Sequence, residues 1–392
     1  MTAPYKNIYL VAALLWLIGA AIRIPILAIP PVLPFMRADL HMSGTEIGIL
    51  SGLPMILLAV VALPGAEAVK WLGAARALVF GLFVTALGGA LRGVAPNTWL
   101  LFIATVVMGG GIAVMQPALP VIVRQWFPSR IGFGTATYSN GMIAGCVLPV
   151  AATIPLIFPF IGDSWRWAVA IWSLPVLAVM AVLMLSLSRN RTPVLMRDEA
   201  AAPRPRLDYQ LIWRIGLIFG STNCIYFGTN AFLPGYLNEV GLGHLLTASL
   251  TAFNFGQWPG SLLVIALADR IEGRVWPFVA NGILLLLSLA WMVTASESGI
   301  VFAAAVCGCV SGISLTMGLM LPPLLSKPVN LARTSAATFT ISYTMAMIVS
   351  VAGGLVWDLT GSSRFAFLPV ALSILPVILL TPTIRFHRVD QD

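Results

Sequence analysis

Charge is what this 392-residue chain lacks most: Asp, Glu, Lys and Arg together make up 9% of it, against 59% hydrophobic residues. A soluble globular chain carries roughly 25% charged residues. So little charge cannot cover a water-facing surface of this size, which excludes a soluble enzyme, a disordered chain and a nucleic-acid binder. Histidine is also scarce, with three in the chain. There is no Ser-His-Asp set, no metal-ligand cluster and no phosphate-binding loop, so no catalytic residue, metal ion or cofactor is expected. The four cysteines, Cys146, Cys224, Cys307 and Cys309, lie inside apolar runs with neither metal nor disulfide spacing. The apolar runs do not alternate with polar positions, which excludes a porin-type barrel.

Long hydrophobic runs are there instead. Twelve apolar segments span about 8–36, 46–68, 74–92, 97–126, 131–159, 164–187, 210–237, 246–268, 275–295, 299–325, 334–357 and 364–384. Each approaches or exceeds the roughly 20 residues that cross a bilayer as a helix. The first continues for about 28 residues, too long for the apolar core of a signal peptide, and reads as the first span. The longest polar stretch, Ser188 to Asp208, carries five arginines with Pro203 and Pro205 and reads as a linker. The expected organisation is therefore an N-terminal six-helix bundle over 1–187, a cytoplasmic linker over 188–208 and a C-terminal six-helix bundle over 209–392. Placing both termini in the cytoplasm puts 17 of the 22 basic residues on that side, with Arg37, Arg92, Arg166 and Arg364 opposite and Arg23 left over. That bias orients the chain. A multi-pass protein of the bacterial inner membrane is expected, surrounded by lipid and monomeric.

The halves echo each other. Pro120, Arg124 and Arg130 precede Pro323, Lys327 and Arg333 by 203 residues, Pro34 precedes Pro234 by 200, and Leu53-Pro54 precedes Trp258-Pro259 by 205. A six-span unit used twice is the pattern of parallel-repeat transporters. Two short loops add to it. Leu267-Ala268-Asp269-Arg270-Ile271-Glu272-Gly273-Arg274 joins spans 8 and 9, and Gly65-Ala66-Glu67-Ala68-Val69-Lys70-Trp71-Leu72-Gly73 is its first-half equivalent. With these loops the chain resembles the major facilitator superfamily. The resemblance implies an all-α membrane protein with twelve transmembrane helices in two pseudo-symmetric six-helix bundles, and a gating or structural role for Glu67, Lys70, Asp269, Arg270 and Arg274. A narrower resemblance is to the branch of cyanate and 2-nitroimidazole transporters. It rests on Ile22-Arg23-Ile24-Pro25 and Pro30-Pro31-Val32-Leu33-Pro34 in span 1, Gly109-Gly110-Gly111-Ile112-Ala113 and Leu119-Pro120 through Arg124 in span 4, Thr135-Ala136-Thr137-Tyr138-Ser139 in span 5, and Trp165-Arg166 at span 6.

Arg23 is the sharpest single feature. It lies about 15 residues into span 1, so about 20 Å from either end at 1.5 Å per residue, beyond the reach of its own side chain to either interface. A central cation costs at least ~2.5 kcal/mol. A water-filled cavity and an anionic ligand relieve that cost, and the forked guanidinium suits planar anions. The structural alternative is an arginine held by carbonyls that Pro25, Pro30 and Pro31 set free. Further candidates for substrate binding are uncharged: Gln116 in span 4, Tyr138 and Asn140 in span 5, Asn223, Tyr226 and Asn230 in span 7, Asn254, Gln257 and Trp258 in span 8, and Tyr343 in span 11. Residues 223, 226 and 230 share a helix face by spacing, as do 254 and 257. Interhelical hydrogen bonding is the alternative for each Asn or Gln. The resemblance implies that spans 1, 4, 7 and 10 line a cavity with 2, 5, 8 and 11 beside them, whereas spans 3, 6, 9 and 12 read as nearly pure Leu, Val, Ala and Phe.

The expected function is a secondary-active or facilitative transporter, not an enzyme, that moves a small anion (cyanate-like or a small carboxylate) by alternating access. The alternative is an exporter of small neutral aromatic compounds such as nitroimidazoles, with Tyr138, Phe253 and Trp258 as a stacking site. A transporter-like sensor is disfavoured by cytoplasmic parts too short for an output domain.

Overall fold

The computed structural model describes residues 8–127, 131–189, 208–271, 273–326 and 331–384. Within them the expected segments fall on helices, in chain order α1 (Ile8–Leu27), α2 (Leu33–Leu40), α3 (Gly44–Val60), α4 (Ala62–Leu72), α5 (Ala74–Gly93), α6 (Thr98–Trp126), α7 (Ile131–Ala152), α8 (Phe158–Ile161), α9 (Trp165–Ile171) and α10 (Ser173–Arg189). There follow α11 (Tyr209–Glu239), α12 (Leu246–Ala266), α13 (Ala268–Ile271), α14 (Trp276–Met292), α15 (Ile300–Leu325), α16 (Leu331–Thr360), α17 (Phe367–Leu372) and α18 (Leu375–Leu380). Among the described residues eight of the helical passages are long and apolar enough to cross a membrane, and α3 and α14 are shorter apolar helices. Helices are forced on such segments, because in hydrocarbon every N–H and C=O must be satisfied within the element. Most of the 188–208 linker, residues 190–207, lies outside the described residues.

Helix ends follow local chemistry. Asn97 caps α6 by accepting from Leu100 N at 3.0 Å, and Asp208 caps α11 by accepting from Leu211 N at 3.0 Å. The start of α3 has a capping box. Ser43 N donates to Glu46 Oε2 at 2.8 Å, and Glu46 N donates to Ser43 Oγ at 3.1 Å. Gly361, at φ 71°, ends α16 in the left-handed region that glycine alone enters without strain.

The chain divides into two compact units, one of Met1–His41 with Val60–Ala200 and one of Met42–Ala59 with Ala201–Asp392. In the first, α1 runs along α7, α4 along α6, and α5 along α6 and α10. In the second, α11 runs along α16, α12 along α15, and α14 along α15. Spans 1 with 5 and 3 with 4 thus pair as spans 7 with 11 and 9 with 10, and the α4 part of span 2 runs along span 4 as span 8 runs along span 10. Small residues set these seams. A Cβ at Gly19, Gly141 or Gly145 would overlap backbone of the facing helix across α1 and α7, and one at Gly256, Gly260, Gly308 or Gly312 would do so across α12 and α15.

Segment 42–59 groups with the second unit through α16. Gly44 N donates to Asp358 Oδ1 at 2.5 Å, Thr45 N to Asp358 Oδ2 at 2.8 Å, and Thr45 Oγ1 to the same oxygen at 2.5 Å. The Asp358 carboxylate thereby caps the positive end of α3. Gly44 and Gly48 lie where any Cβ would meet the α16 backbone.

Candidate functional site

Span 1 is interrupted, and its prolines explain where. The helix runs through Pro25 and closes when Ala28 N donates to Ile24 O at 3.0 Å. Pro30 and Pro31 have no N–H, so Ile26 O and Leu27 O lose the donors four residues on. The chain restarts as a 3₁₀ turn over Pro30–Val32 and continues as α2. The break therefore lies beyond Leu27, rather than at Pro25 beside Arg23.

Arg23 is half-buried on α1 between the buried Ile22 and Ile24. The seam with α7 sets its surroundings. There Gly19 faces the Tyr138 backbone and Gly141 faces that of Trp16. Trp16 Nε1 donates to Asn140 Oδ1 at 2.9 Å, so Asn140 is joined to span 1 through a residue that the spacing argument passed over. Tyr138 is half-buried on α7, and Gln116 is half-buried on α6 one residue before Pro117.

The second-unit candidates interlock. Tyr226 OH donates to Asn254 Oδ1 at 2.8 Å, and Asn254 Nδ2 donates to Asn230 Oδ1 and to Leu250 O, both at 2.9 Å. Asn230 Nδ2 donates in turn to Tyr226 O at 2.9 Å, and Gln257 Nε2 to Asn254 O at 3.5 Å. Asn254 is 0% exposed, and the bonds use its carbonyl and both amide hydrogens. This is a closed polar knot between α11 and α12, which is what burial demands of amides in an apolar bundle. Asn223 Nδ2 donates to Ser342 Oγ on α16 at 2.6 Å. Trp258 differs, because its buried indole nitrogen has no partner while its ring edges onto Phe255 at 5.1 Å. Tyr226 stacks on Phe253 with centroids 6.0 Å apart, and Tyr343 on Phe339 at 6.1 Å.

Of the loop residues, Glu67 is exposed and accepts from Trp71 Nε1 at 3.0 Å. Arg270 and Arg274 are exposed. The side chains of Lys70 and Asp269 lie outside the described residues.

Two buried polar residues escaped the sequence reading. Asn281, in the Leu-rich span 9, donates to Ser314 Oγ on α15 at 2.9 Å, and its Oδ1 is unpartnered. It borders a small, water-sized cavity with Thr222 and Phe278. Arg92, counted above as an outer topology charge, is 1% exposed, and its Nη2 donates to Pro25 O at 2.5 Å. Its place in the last turn of span 3, rather than in a loop, is the available signal.

Comparisons with known proteins agree with this architecture. The family model described as Major Facilitator Superfamily matches residues 11–356. The cyanate transport protein CynX of Escherichia coli (strain K12) is 27% identical over 259 residues, which is 66% of this chain and 66% of that one. The 2-nitroimidazole transporter of the same organism is 28% identical over 246 residues, 62% of this chain and 61% of that one. Among solved structures, a bacterial homolog of the human lysosomal transporter Spinster, in an inward-facing and occupied conformation, superposes with a TM-score of 0.74 at 15% identity, covering 97% of this chain and 96% of that one.

Proposed function

The chain belongs to the Major Facilitator Superfamily, and from that premise we propose that it carries a small planar anion, cyanate-like or a small carboxylate, across a membrane by alternating access. The observation that carries this reading is Arg23. It is a half-buried guanidinium set in the apolar helix α1, whose sequence contains no acidic residue. Two parallel N–H donors match the two oxygens of a carboxylate or the polar end of a cyanate, and desolvation in an apolar setting strengthens that match. A cation here also rejects cationic solutes by repulsion. The similarity to a cyanate transport protein supports the same class of ligand.

Tyr138 and Gln116 complete the first-unit contribution as neutral hydrogen-bonding groups. Within the second unit taken by itself, Asn223, Trp258 and Tyr343 are the polar candidates, while Tyr226, Asn230, Asn254 and Gln257 act through the knot that holds α11 to α12. Asp269, Arg270 and Arg274 with Glu67 and Lys70 serve as gating loops. The orientation with both termini in the bacterial cytoplasm follows from the distribution of basic residues.

A second reading, export of neutral aromatic compounds, is favoured by the stacked pairs Tyr226–Phe253 and Phe339–Tyr343 and by the similarity to a 2-nitroimidazole transporter. Counterflow in proteoliposomes separates the two. Liposomes preloaded with cyanate, formate or acetate are expected to accelerate uptake of labelled anion, with no acceleration by 2-nitroimidazole. Acceleration by the neutral compound alone overturns the anion reading.

A further inference from the structure

We propose that Arg92 is a positioning residue. By binding the carbonyl end of α1, it fixes the break of span 1 and so the aim of Arg23. The proposal rests on the reading of Arg23 as the anion-binding residue.

Among the described residues Arg92 is the largest side chain that is fully buried, and no carboxylate lies within ion-pair distance of it. A cation persists in such a place only where something negative faces it. Here that is the end of α1. Arg92 Nη2 takes Pro25 O at 2.5 Å, and Ile26 O and Leu27 O follow with their usual donors removed by Pro30 and Pro31. The carbonyl end of a helix carries a partial negative charge, and cations are stabilised there. Arg92 Nε is buried without a partner, which ties the side chain to α1 through its outer nitrogen alone. On α5, the helix that carries Arg92, a Cβ at Gly89 would meet the Ser173 hydroxyl, and one at Gly93 would meet Arg166 O and Ala170, so α5 lies close against α9 and α10.

The link to Arg23 is helical geometry. Residues 23 and 25 lie about 200° apart around α1, so Arg92 holds the buried side near Pro25 while Arg23 stands on the half-open side. Without the clamp, carbonyls at the break lack donors in an apolar surrounding, and the helix end rewinds or tilts to recover them. A rotation there moves Arg23 in register. Its rigid fork depends on alignment, whereas a lysine ammonium at the same position does not.

The experiment measures labelled-anion uptake in proteoliposomes for Arg92→Met, Arg92→Gln and Arg92→Lys, each made in the wild type and in an Arg23→Lys background, with melting temperatures alongside. In the wild-type background, Arg92→Met and Arg92→Gln are expected to raise KM by about tenfold with Vmax largely kept. Arg92→Lys, which keeps a cation at the helix end, restores KM. In the Arg23→Lys background Arg92→Gln is expected to leave KM unchanged, the non-additivity of residues acting as one unit. A lower melting temperature with unchanged KM overturns the positioning role, as does an equal rise in KM in both backgrounds. If Arg92→Met does not accumulate, the glutamine and lysine variants decide. Normal anion uptake by Arg23→Ala, by contrast, overturns the anion reading itself.

Discussion

Arg23→Ala is expected to lower kcat/KM for anion transport by about a hundredfold or more while leaving the protein folded in the membrane. Each hydrogen bond to a charged group contributes about 1.5–3 kcal/mol, and the forked guanidinium makes two. Losing both therefore removes about 3 kcal/mol or more, and every 1.36 kcal/mol is tenfold in rate. Arg23→Lys keeps the charge but not the fork, so an intermediate loss of about tenfold is expected. Folding survives because removing a central cation relieves a desolvation cost instead of imposing one. Initial rates of labelled cyanate or formate uptake into proteoliposomes, normalised to reconstituted protein, are the measurement. Unchanged rates in Arg23→Ala would remove the residue from the site.

The second large effect is structural. Gly141→Leu is expected to abolish accumulation of stable protein, because Gly141 faces the Trp16 backbone across the α1–α7 seam with no room for a Cβ. Inserting a side chain into a packed seam costs about 1–3 kcal/mol when neighbours can yield, and here the neighbour is backbone, so the helices themselves must part. Gly110→Leu on α6 is the control. A Cβ there meets nothing within 4 Å, so its melting temperature in detergent is expected to stay within a few degrees of wild type. Equal behaviour of the two variants would refute the close approach of α1 and α7. Since Gly19 on the same seam faces Tyr138, the lesion also separates Arg23 from the span-5 candidates.

How much of this was legible in the chain depends on the scale. The helical passages were legible because a bilayer permits no backbone polar group to go unsatisfied, and apolar continuity follows. The pairing of spans was foreshadowed by the Pro and Arg echoes but not specified by them, since seams depend on which glycines face which backbone. An interruption in span 1 was readable from its prolines. Its place was not, because a single proline at position 25 can stay within a helix, while two in succession at 30 and 31 strip donors from consecutive carbonyls. The face shared by residues 223, 226 and 230 was visible from spacing. That Tyr226 and Asn230 close onto Asn254, while Asn223 turns to Ser342, depends on neighbouring helices that spacing does not identify. Arg92 shows the limit of counting charges. Near a span end a cation reads as topology, yet a long side chain can turn inward and cap a neighbour. Asn281 hid for the opposite reason, as one polar residue within a Leu-rich run.

The most direct test is binding itself. Purified wild-type protein and Arg23→Ala are heated in detergent with graded cyanate, formate, acetate and 2-nitroimidazole. A ligand that binds the folded state raises the melting temperature with concentration. Saturable stabilisation of the wild type by the anions, absent from Arg23→Ala, is the expected result. Stabilisation of both proteins to the same extent, or by the neutral nitroaromatic alone, would contradict an anion site built on Arg23.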